Sequence, residues 1–186
     1  TEAKLVEIRT SLDTNFTLTA DMVRAHVTPR SKILVLINPA NPTGSVIPPA
    51  ELERICAVAV EHDLIVVSDE IYARLTYGDA RVQPVAALPG MRERTITLSG
   101  VSKAYAMTGW RVGYFAGPAD FMPALAEIHH ALAISTSAVG QHAALAALTG
   151  PQECVEEIRR TFDGRRRVLC DGLVAMGIPY AEPRSP

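Results

Sequence analysis

The segment KILVLINPANPTG, residues 32–44, decides the fold. It opens with a short, nearly continuous apolar run, residues 32–37, of the kind found in strands buried on both faces of a parallel sheet. A second such run, residues 64–67, ends at Ser68-Asp69. Residues 48–60 lie between the two runs; they start with two prolines and repeat apolar side chains at intervals of three and four, which is typical of a helix. The segment therefore predicts a βαβ unit.

Strand and helix signals continue on both sides of this unit. Alternation at residues 6–9 and short apolar runs at residues 95–98 and 112–116 predict three more strands. Helical periodicity predicts four more helices. The first is expected to run from Thr19 or Asp21 to His26. The others are expected at 119–133, at 137–148 and at 151–176, where Gly177 ends the last one. Strands that alternate with helices predict an α/β fold with a doubly wound, mostly parallel sheet.

Composition narrows the function classes. The chain has 186 residues, 48% hydrophobic and 20% charged, which is typical of a soluble globular domain. The net charge of −2 offers no basic surface for nucleic acid or an anionic membrane. No apolar run reaches the roughly 18 residues of a membrane span, and no secretory signal can be read.

Cysteine and histidine usage favours a cytoplasmic protein without a metal site. The three cysteines, Cys56, Cys154 and Cys170, show no C-x-x-C spacing, and the simplest interpretation is that all three are reduced and buried in the core. His129 and His130 are adjacent in a predicted helix. Adjacent helical side chains point about 100° apart, so this pair cannot chelate one metal ion.

Three polar residues follow three of the predicted strands. Ligands of open α/β sheets bind beyond the carboxyl ends of the strands. Asn41, Asp69 and Lys103 occupy such positions, and they are separated by about 30 residues, the length of a βαβ crossover. We therefore expect them to converge on one edge of the sheet.

Two of the candidate residues at this edge are cationic. A lone lysine is usually a solvated surface charge, but Lys103 lies among small residues after a strand, where partial desolvation would present the free amine that forms Schiff bases. Arg111 follows eight residues later, beyond a turn, and its forked guanidinium suits a phosphate dianion.

The other candidates suit a protonated heterocycle. Asp69 has two interpretations: a helix N-cap, or a carboxylate that holds a ring nitrogen in its cationic form. Tyr72 is either a packed aromatic or a hydroxyl donor near the same ring. Two Asn-Pro steps and Gly44 predict a rigid turn that holds the Asn41 side chain at the sheet edge, ready to bind a ring oxygen.

Three motifs in this order and spacing resemble one enzyme family. They are INPANPTG at residues 37–44, SDEIY at 68–72 and SGVSKAYAMTGWRVGY at 99–114. They are similar to the class I aminotransferases related to aspartate aminotransferase, which are fold-type-I pyridoxal-phosphate enzymes. Residues 100–113 match the cofactor-lysine signature of that family at every position, and the resemblance extends over nearly the whole chain.

The resemblance implies a role for each candidate. Lys103 would bind pyridoxal 5'-phosphate covalently and shuttle a proton between the substrate and the cofactor. Asp69 would pair with the pyridinium nitrogen. Asn41 and Tyr72 would hydrogen-bond the ring hydroxyl oxygen.

The phosphate contacts implied by the resemblance leave one alternative open. Ser102 and Arg111 would hold the phosphate. Some relatives carry a further hydroxyl at position 100, where this sequence has glycine. Ser99 is the alternative donor.

The resemblance also implies the organisation of the whole enzyme. It is a homodimer with the active site at the subunit interface, and it exchanges an amino group between an amino acid and a 2-oxo acid. Residues 1–150 would be the C-terminal part of the cofactor-binding large domain, and residues 151–186 the linking helix and the start of the small domain. We expect truncation at both ends, with the ring-stacking aromatic and the substrate-binding arginine outside the chain, so the isolated chain should transaminate poorly.

Two other functions stay open at this point. A pyridoxal-phosphate lyase that eliminates at Cβ, such as a C–S lyase, would share these motifs, and product analysis would separate it from a transaminase. The motifs also occur in sensor domains of transcriptional regulators, where a basic helix-turn-helix would precede Thr1.

Overall fold

A four-stranded mixed sheet forms the centre of the computed structural model, which describes residues 3–186. The strands, in spatial as well as chain order, are β1 (Ile33–Ile37), β2 (Ile65–Asp69), β3 (Thr95–Gly100) and β4 (Gly113–Ala116). The first three are parallel, and β4 runs antiparallel to β3. The predicted α/β class with a mostly parallel sheet is confirmed.

Five α-helices flank the strands, at the places predicted from periodicity. They are α1 (Ala20–His26), α2 (Pro49–Glu61), α3 (Met122–Ala133), α4 (Ala138–Thr149) and α5 (Glu153–Ala175). Thr19 is the N-cap of α1, because its hydroxyl accepts a hydrogen bond from the Met22 amide at 3.3 Å. Within residues 3–186, no helix has both the length and the apolar surface needed to cross a membrane.

The main core lies between α2 and one face of the sheet. Leu34, Leu36 and Val66 project from the strands into this core. They meet α2 side chains such as Leu52 and Ile55, both fully buried. Burying an aliphatic side chain of this size contributes roughly 1.5–3 kcal/mol. This packing holds the first two strands and the helix between them as one unit.

The opposite face of β1 is open within the described residues. Ile33, Val35 and Ile37 are 58%, 59% and 44% exposed, in alternation with the buried side chains of the same strand. The prediction that this strand is buried on both faces is therefore wrong for residues 3–186. Successive strand side chains point to opposite sides, and a cover on one side buries only every second residue.

The strand predicted at residues 6–9 is also wrong. These residues belong to no strand of the sheet, and Val6 is 54% exposed. Only Ile8 packs against the main core. Alternation marks a segment that is able to pair, but a strand also needs a partner edge, and this segment has none among residues 3–186.

The cysteines differ in their surroundings. Cys56 and Cys170 are buried, but Cys154, the second residue of α5, is exposed, so the prediction of three buried thiols is wrong for Cys154. Burial, together with the nearby Glu53 carboxylate, raises the pKa of the Cys56 thiol to about 12. Cys56 therefore stays protonated at neutral pH, and it is also shielded from reagents.

This difference predicts the order of thiol modification. At pH 8, a neutral alkylating reagent should label Cys154 at least tenfold faster than Cys56, because only exposed thiolate reacts. Peptide mass spectrometry during a time course measures both rates, and unfolding in denaturant should equalise them. Equal rates in the folded protein would contradict the burial of Cys56.

The backbone conformation of Gly44 predicts how a substitution there affects stability. Its φ is +66°, and a Cβ atom built there would lie 2.6 Å from the Ser185 carbonyl oxygen and 2.7 Å from Pro183 Cβ. Gly44→Ala should therefore lower the free energy of unfolding by at least ~1 kcal/mol. Gly164→Ala is the matched control: Gly164 lies within α5 with open space around it, so alanine should raise stability by roughly 0.5–1 kcal/mol. Denaturant unfolding checks both signs.

Candidate active site

The sheet brings the segments after β1, β2 and β3 to one edge. The Asn38 amide donates to the Asp69 carbonyl at 3.0 Å, and the Glu70 amide donates to the Leu98 carbonyl at 2.9 Å. Because these bonds join the carboxyl ends of neighbouring parallel strands, the residues that follow the three strands start side by side. We call this the carboxyl edge of the sheet.

The loop after β1 is closed by its own hydrogen bonds. The buried Asn38 side chain accepts a hydrogen bond from the Ile47 amide at 2.9 Å, and the Gly44 amide donates to the Ala40 carbonyl at 2.9 Å. Both Asn-Pro peptide bonds are cis. Asn41 is an exposed side chain of this loop at the carboxyl edge.

One of the predicted site residues, Tyr72, contacts two of the others. The Asn41 amide nitrogen donates to the Tyr72 hydroxyl oxygen at 3.4 Å. The amine of Lys103 lies 5.6 Å from the centre of the Tyr72 ring. Tyr72 thus contacts an amide and a primary amine that come from two other segments of the chain.

Asp69 lies at the end of β2, the strand between those that lead to Asn41 and Lys103. It pairs with Ile37 of β1 and Leu98 of β3 in the register, so its side chain is on the same face as theirs. One carboxylate oxygen, Oδ1, accepts the Ile71 amide at 3.1 Å, and Oδ2 accepts no hydrogen bond within residues 3–186. The interpretation of Asp69 as a helix N-cap is wrong, because a turn and not a helix follows it at residues 71–74. Its Oδ1 caps that turn, and Oδ2 stays open to a ligand.

The neighbouring acid, Glu70, faces the other way. Its carboxylate is buried, and it accepts hydrogen bonds from the Ser68 hydroxyl at 2.9 Å and from the Val85 amide at 3.1 Å. Strand alternation places Ser68 and Glu70 on the core side and Asp69 on the opposite side. Of these two acids, Asp69 is the one placed to meet a ligand.

Lys103 lies in a tight turn directly after β3. The turn is closed by the Tyr105 amide, which donates to the Val101 carbonyl at 3.3 Å. The sequence has three lysines, and Lys32 precedes β1 at the opposite edge of the sheet. Lys4 belongs to no strand or helix. Lys103 is thus the lysine that follows the carboxyl end of a strand.

Arg111 lies at the same end of β3, but its guanidinium hydrogen-bonds to the backbone of its own turn. It comes two residues before Gly113, which pairs with Gly100, the last residue of β3. Its φ is 54°, and its guanidinium donates to the Thr108 carbonyl at 3.1 Å. The guanidinium therefore lies near the carboxyl edge, and among residues 3–186 it makes no hydrogen bond to Asn41, Tyr72 or Lys103.

The β3 register separates the two candidate serines. Ser99 is two residues beyond Thr97, which pairs with Ser68, so Ser99 faces the core side, opposite to Asp69. Ser102 lies in the Lys103 turn, where it is half-buried and makes no hydrogen bond within residues 3–186. A Cβ at Gly100 would lie 2.9 Å from the Val112 carbonyl oxygen, so a side chain there would require β4 to move.

Beside these residues lie three polar side chains that the sequence did not predict as part of the site. Arg74 and Tyr105 follow Tyr72 and Lys103, respectively, by two positions, and both side chains meet Gln152 just before α5. Tyr105 occupies an unrestricted position of the cofactor-lysine signature, and the other two lie outside the quoted motifs. Their offset of two residues from Tyr72 and Lys103 is the only local signal.

Comparison with known proteins agrees with this geometry. A family model described as "Aminotransferase class I and II" matches residues 1–186. An aspartate aminotransferase of Pyrococcus abyssi is 40% identical over 97% of this chain and 47% of its own length. An aspartate/prephenate aminotransferase of Thermus thermophilus is 40% identical over 96% of this chain and 46% of its own length.

Solved structures give the same result. The crystal structure of an aromatic aminotransferase from Pyrococcus horikoshii matches with a TM-score of 0.94 at 39% identity, over 97% of this chain and 49% of that one. The chain spans about half the length of the relatives it matches. The fold, the residues at the carboxyl edge and these matches together show that the chain belongs to the class I and II aminotransferase family.

Proposed function

We propose that the protein is a pyridoxal-phosphate-dependent aminotransferase and that this chain supplies much of its cofactor site. The observation that carries the proposal is the contact of one residue, Tyr72, with both Asn41 and Lys103, next to the end of the strand that bears Asp69. Class I aminotransferases use pyridoxal phosphate, and they move an amino group between an amino acid and a 2-oxo acid.

The donor set fits the chemistry of this cofactor. The aldehyde requires a primary amine, which Lys103 carries, and the protonated ring nitrogen requires an anion, which the open oxygen of Asp69 supplies. The phenolate oxygen of the cofactor accepts hydrogen bonds, and Asn41 and Tyr72 both offer donors. For the phosphate we assign Arg111 and Ser102, both near the carboxyl end of β3.

These residues would divide the work of transamination. Bound pyridoxal phosphate supplies an electron-accepting ring that stabilises negative charge on the substrate Cα. Lys103 would take the proton from that carbon through Nζ and deliver it to the aldehyde-derived carbon of the cofactor. Asp69 keeps the ring nitrogen protonated. Tyr72 and Asn41 orient the ring by their hydrogen bonds, while Arg111 and Ser102 hold its phosphate in place.

The organisation of the whole protein is part of the proposal. Residues 1–150 form the C-terminal part of the large domain, and residues 151–186 contain the linking helix and the start of the small domain. The full protein is a cytoplasmic homodimer that binds no nucleic acid or membrane. The relatives named for aspartate, prephenate and aromatic amino acids support an amino acid and a 2-oxo acid as substrates. They also favour transamination over a C–S lyase or a sensor domain.

Reductive trapping tests the function of Lys103. Borohydride reduction of the full-length protein with pyridoxal phosphate should leave a pyridoxyl group on the Lys103 peptide, because the amine forms a reducible bond with the aldehyde. Lys103→Arg should abolish this adduct, and Lys32→Arg, at the opposite edge, should leave it unchanged. An adduct distributed equally between Lys32 and Lys103 would refute the assignment.

Asp69→Asn tests the charge at the ring nitrogen. Asparagine keeps an oxygen for the Ile71 amide but loses the anion, so kcat/KM should fall on the order of 100-fold, the usual cost of losing one partner of a desolvated charge pair. The matched control is Asp63→Asn at the opposite edge, where the carboxylate is exposed. Steady-state kinetics checks both variants, and an Asp69→Asn enzyme within threefold of wild type would contradict the role.

A further inference from the structure

A polar cluster connects the two segments that carry Tyr72 and Lys103. The Arg74 guanidinium donates to the Tyr105 hydroxyl oxygen and to Gln152 Oε1, the latter at 2.7 Å. The Tyr105 hydroxyl donates to the same Gln152 oxygen at 2.8 Å. The central carbon of the Arg74 guanidinium lies 5.5 Å from the centre of the Tyr105 ring. We call these three residues the Tyr105 cluster.

Gln152 has no free hydrogen-bonding capacity in this arrangement. Its oxygen accepts two hydrogen bonds from the cluster, and its nitrogen donates to the carbonyls of Ala147 at 3.0 Å and Gly150 at 2.7 Å. A primary amide has two donors and two lone pairs, and all four are used. The side chain is therefore fixed in one orientation by the end of α4 and by the cluster together.

An apolar contact lies next to the polar one. Leu75, Ala104 and Val155 form a small buried cluster at 1%, 3% and 5% exposure, with Tyr105 packed against it. Leu75 follows Arg74, Ala104 follows Lys103, and Val155 belongs to the first turn of α5. The same three segments are thus joined twice, once by hydrogen bonds and once by apolar packing.

The start of the Lys103 turn is anchored by Val101, which is fully buried in a small apolar cluster that Tyr105 also packs against. Residues 101–106 form a single turn outside any helix or strand, closed by hydrogen bonds of 3.3 Å from the Tyr105 amide to Val101 and from the Ala106 amide to Lys103. Side-chain contacts therefore decide where the amine lies relative to the Tyr72 ring. An error of about 1 Å in such a position can cost a catalyst on the order of 100-fold in rate.

We propose that Tyr105, Arg74 and Gln152 are positioning residues that fix the Lys103 amine against Tyr72 and tie both to the start of α5. This inference rests on the proposed function, and it adds three residues that touch neither the substrate nor the cofactor. The cluster acts as one unit, because Gln152 accepts a hydrogen bond from each of the other two side chains.

Three variants of the full-length protein test the proposal. Tyr105→Phe removes one hydroxyl and keeps the ring, Gln152→Leu removes the shared acceptor, and the third variant combines both. Each single change should lower kcat about 5- to 10-fold with KM changed less than twofold. The double variant should fall no more than twofold below the weaker single variant, because members of one network are not additive. Tyr114→Phe, an exposed tyrosine of β4, is the matched control and should match wild type.

Hydrogen exchange of the cofactor-free protein gives an independent readout. In Tyr105→Phe, amides in the peptide that covers residues 101–106 should exchange at least fivefold faster, and those of β1 should not change. A Tyr105→Phe protein with wild-type kcat and wild-type exchange in this peptide would overturn the proposal, even if its melting temperature falls. So would independent, multiplicative losses in the double variant. This arm needs no cofactor, so a missing adduct on Lys103 would count against the proposed function and leave the test of the cluster valid.

Discussion

The register of the parallel strands is the constraint on which the rest of the site depends. Backbone hydrogen bonds from Asn38 to Asp69 and from Glu70 to Leu98 align the ends of β1, β2 and β3. A slip of one residue in β2 would exchange its two faces, so that Glu70 would replace Asp69 at the ligand side. The buried acceptor for the Ser68 hydroxyl and the Val85 amide would be lost at the same time. Core packing and the proposed ligand chemistry therefore require the same register.

The spacing of apolar and turn-forming residues predicted most of the helices and strands, because it reflects the conformational preference of each short segment. The apolar runs before Asn38 and Ser68 and the prolines before α2 identified the βαβ unit, and Gly177, with φ +66°, ends α5 as expected. The two errors in the strands have a common cause. Val6 lies in a segment with a strand-like pattern, and Ile33 lies in a true strand. Whether Val6 finds a partner strand and whether Ile33 is covered depend on other segments, which are distant in sequence or outside residues 3–186. Periodicity contains no information about those partners.

The candidate site likewise contains residues that the sequence predicted and contacts that it did not. Asn41 and Lys103 were predicted from their positions after strands, and Tyr72 from its place three residues after Asp69 and from the family motifs. The structure brings Asn41 and Lys103 each into contact with Tyr72. The hydrogen bond of Arg111 to the Thr108 carbonyl depends on one side-chain rotamer and a positive φ, which no spacing rule reports. The Tyr105 cluster joins residues up to 78 positions apart, so only a three-dimensional arrangement reveals it.

The antiparallel course of β4 has a consequence for motion. Lys103 and Arg111 both lie in the connection between β3 and β4, and the Val101 amide closes its base by a 3.4 Å hydrogen bond to the Val112 carbonyl. Both residues are therefore carried by one connection whose two ends are joined by a backbone hydrogen bond. A hinge elsewhere in the protein could open or shut access to the carboxyl edge and still move Lys103 and Arg111 together.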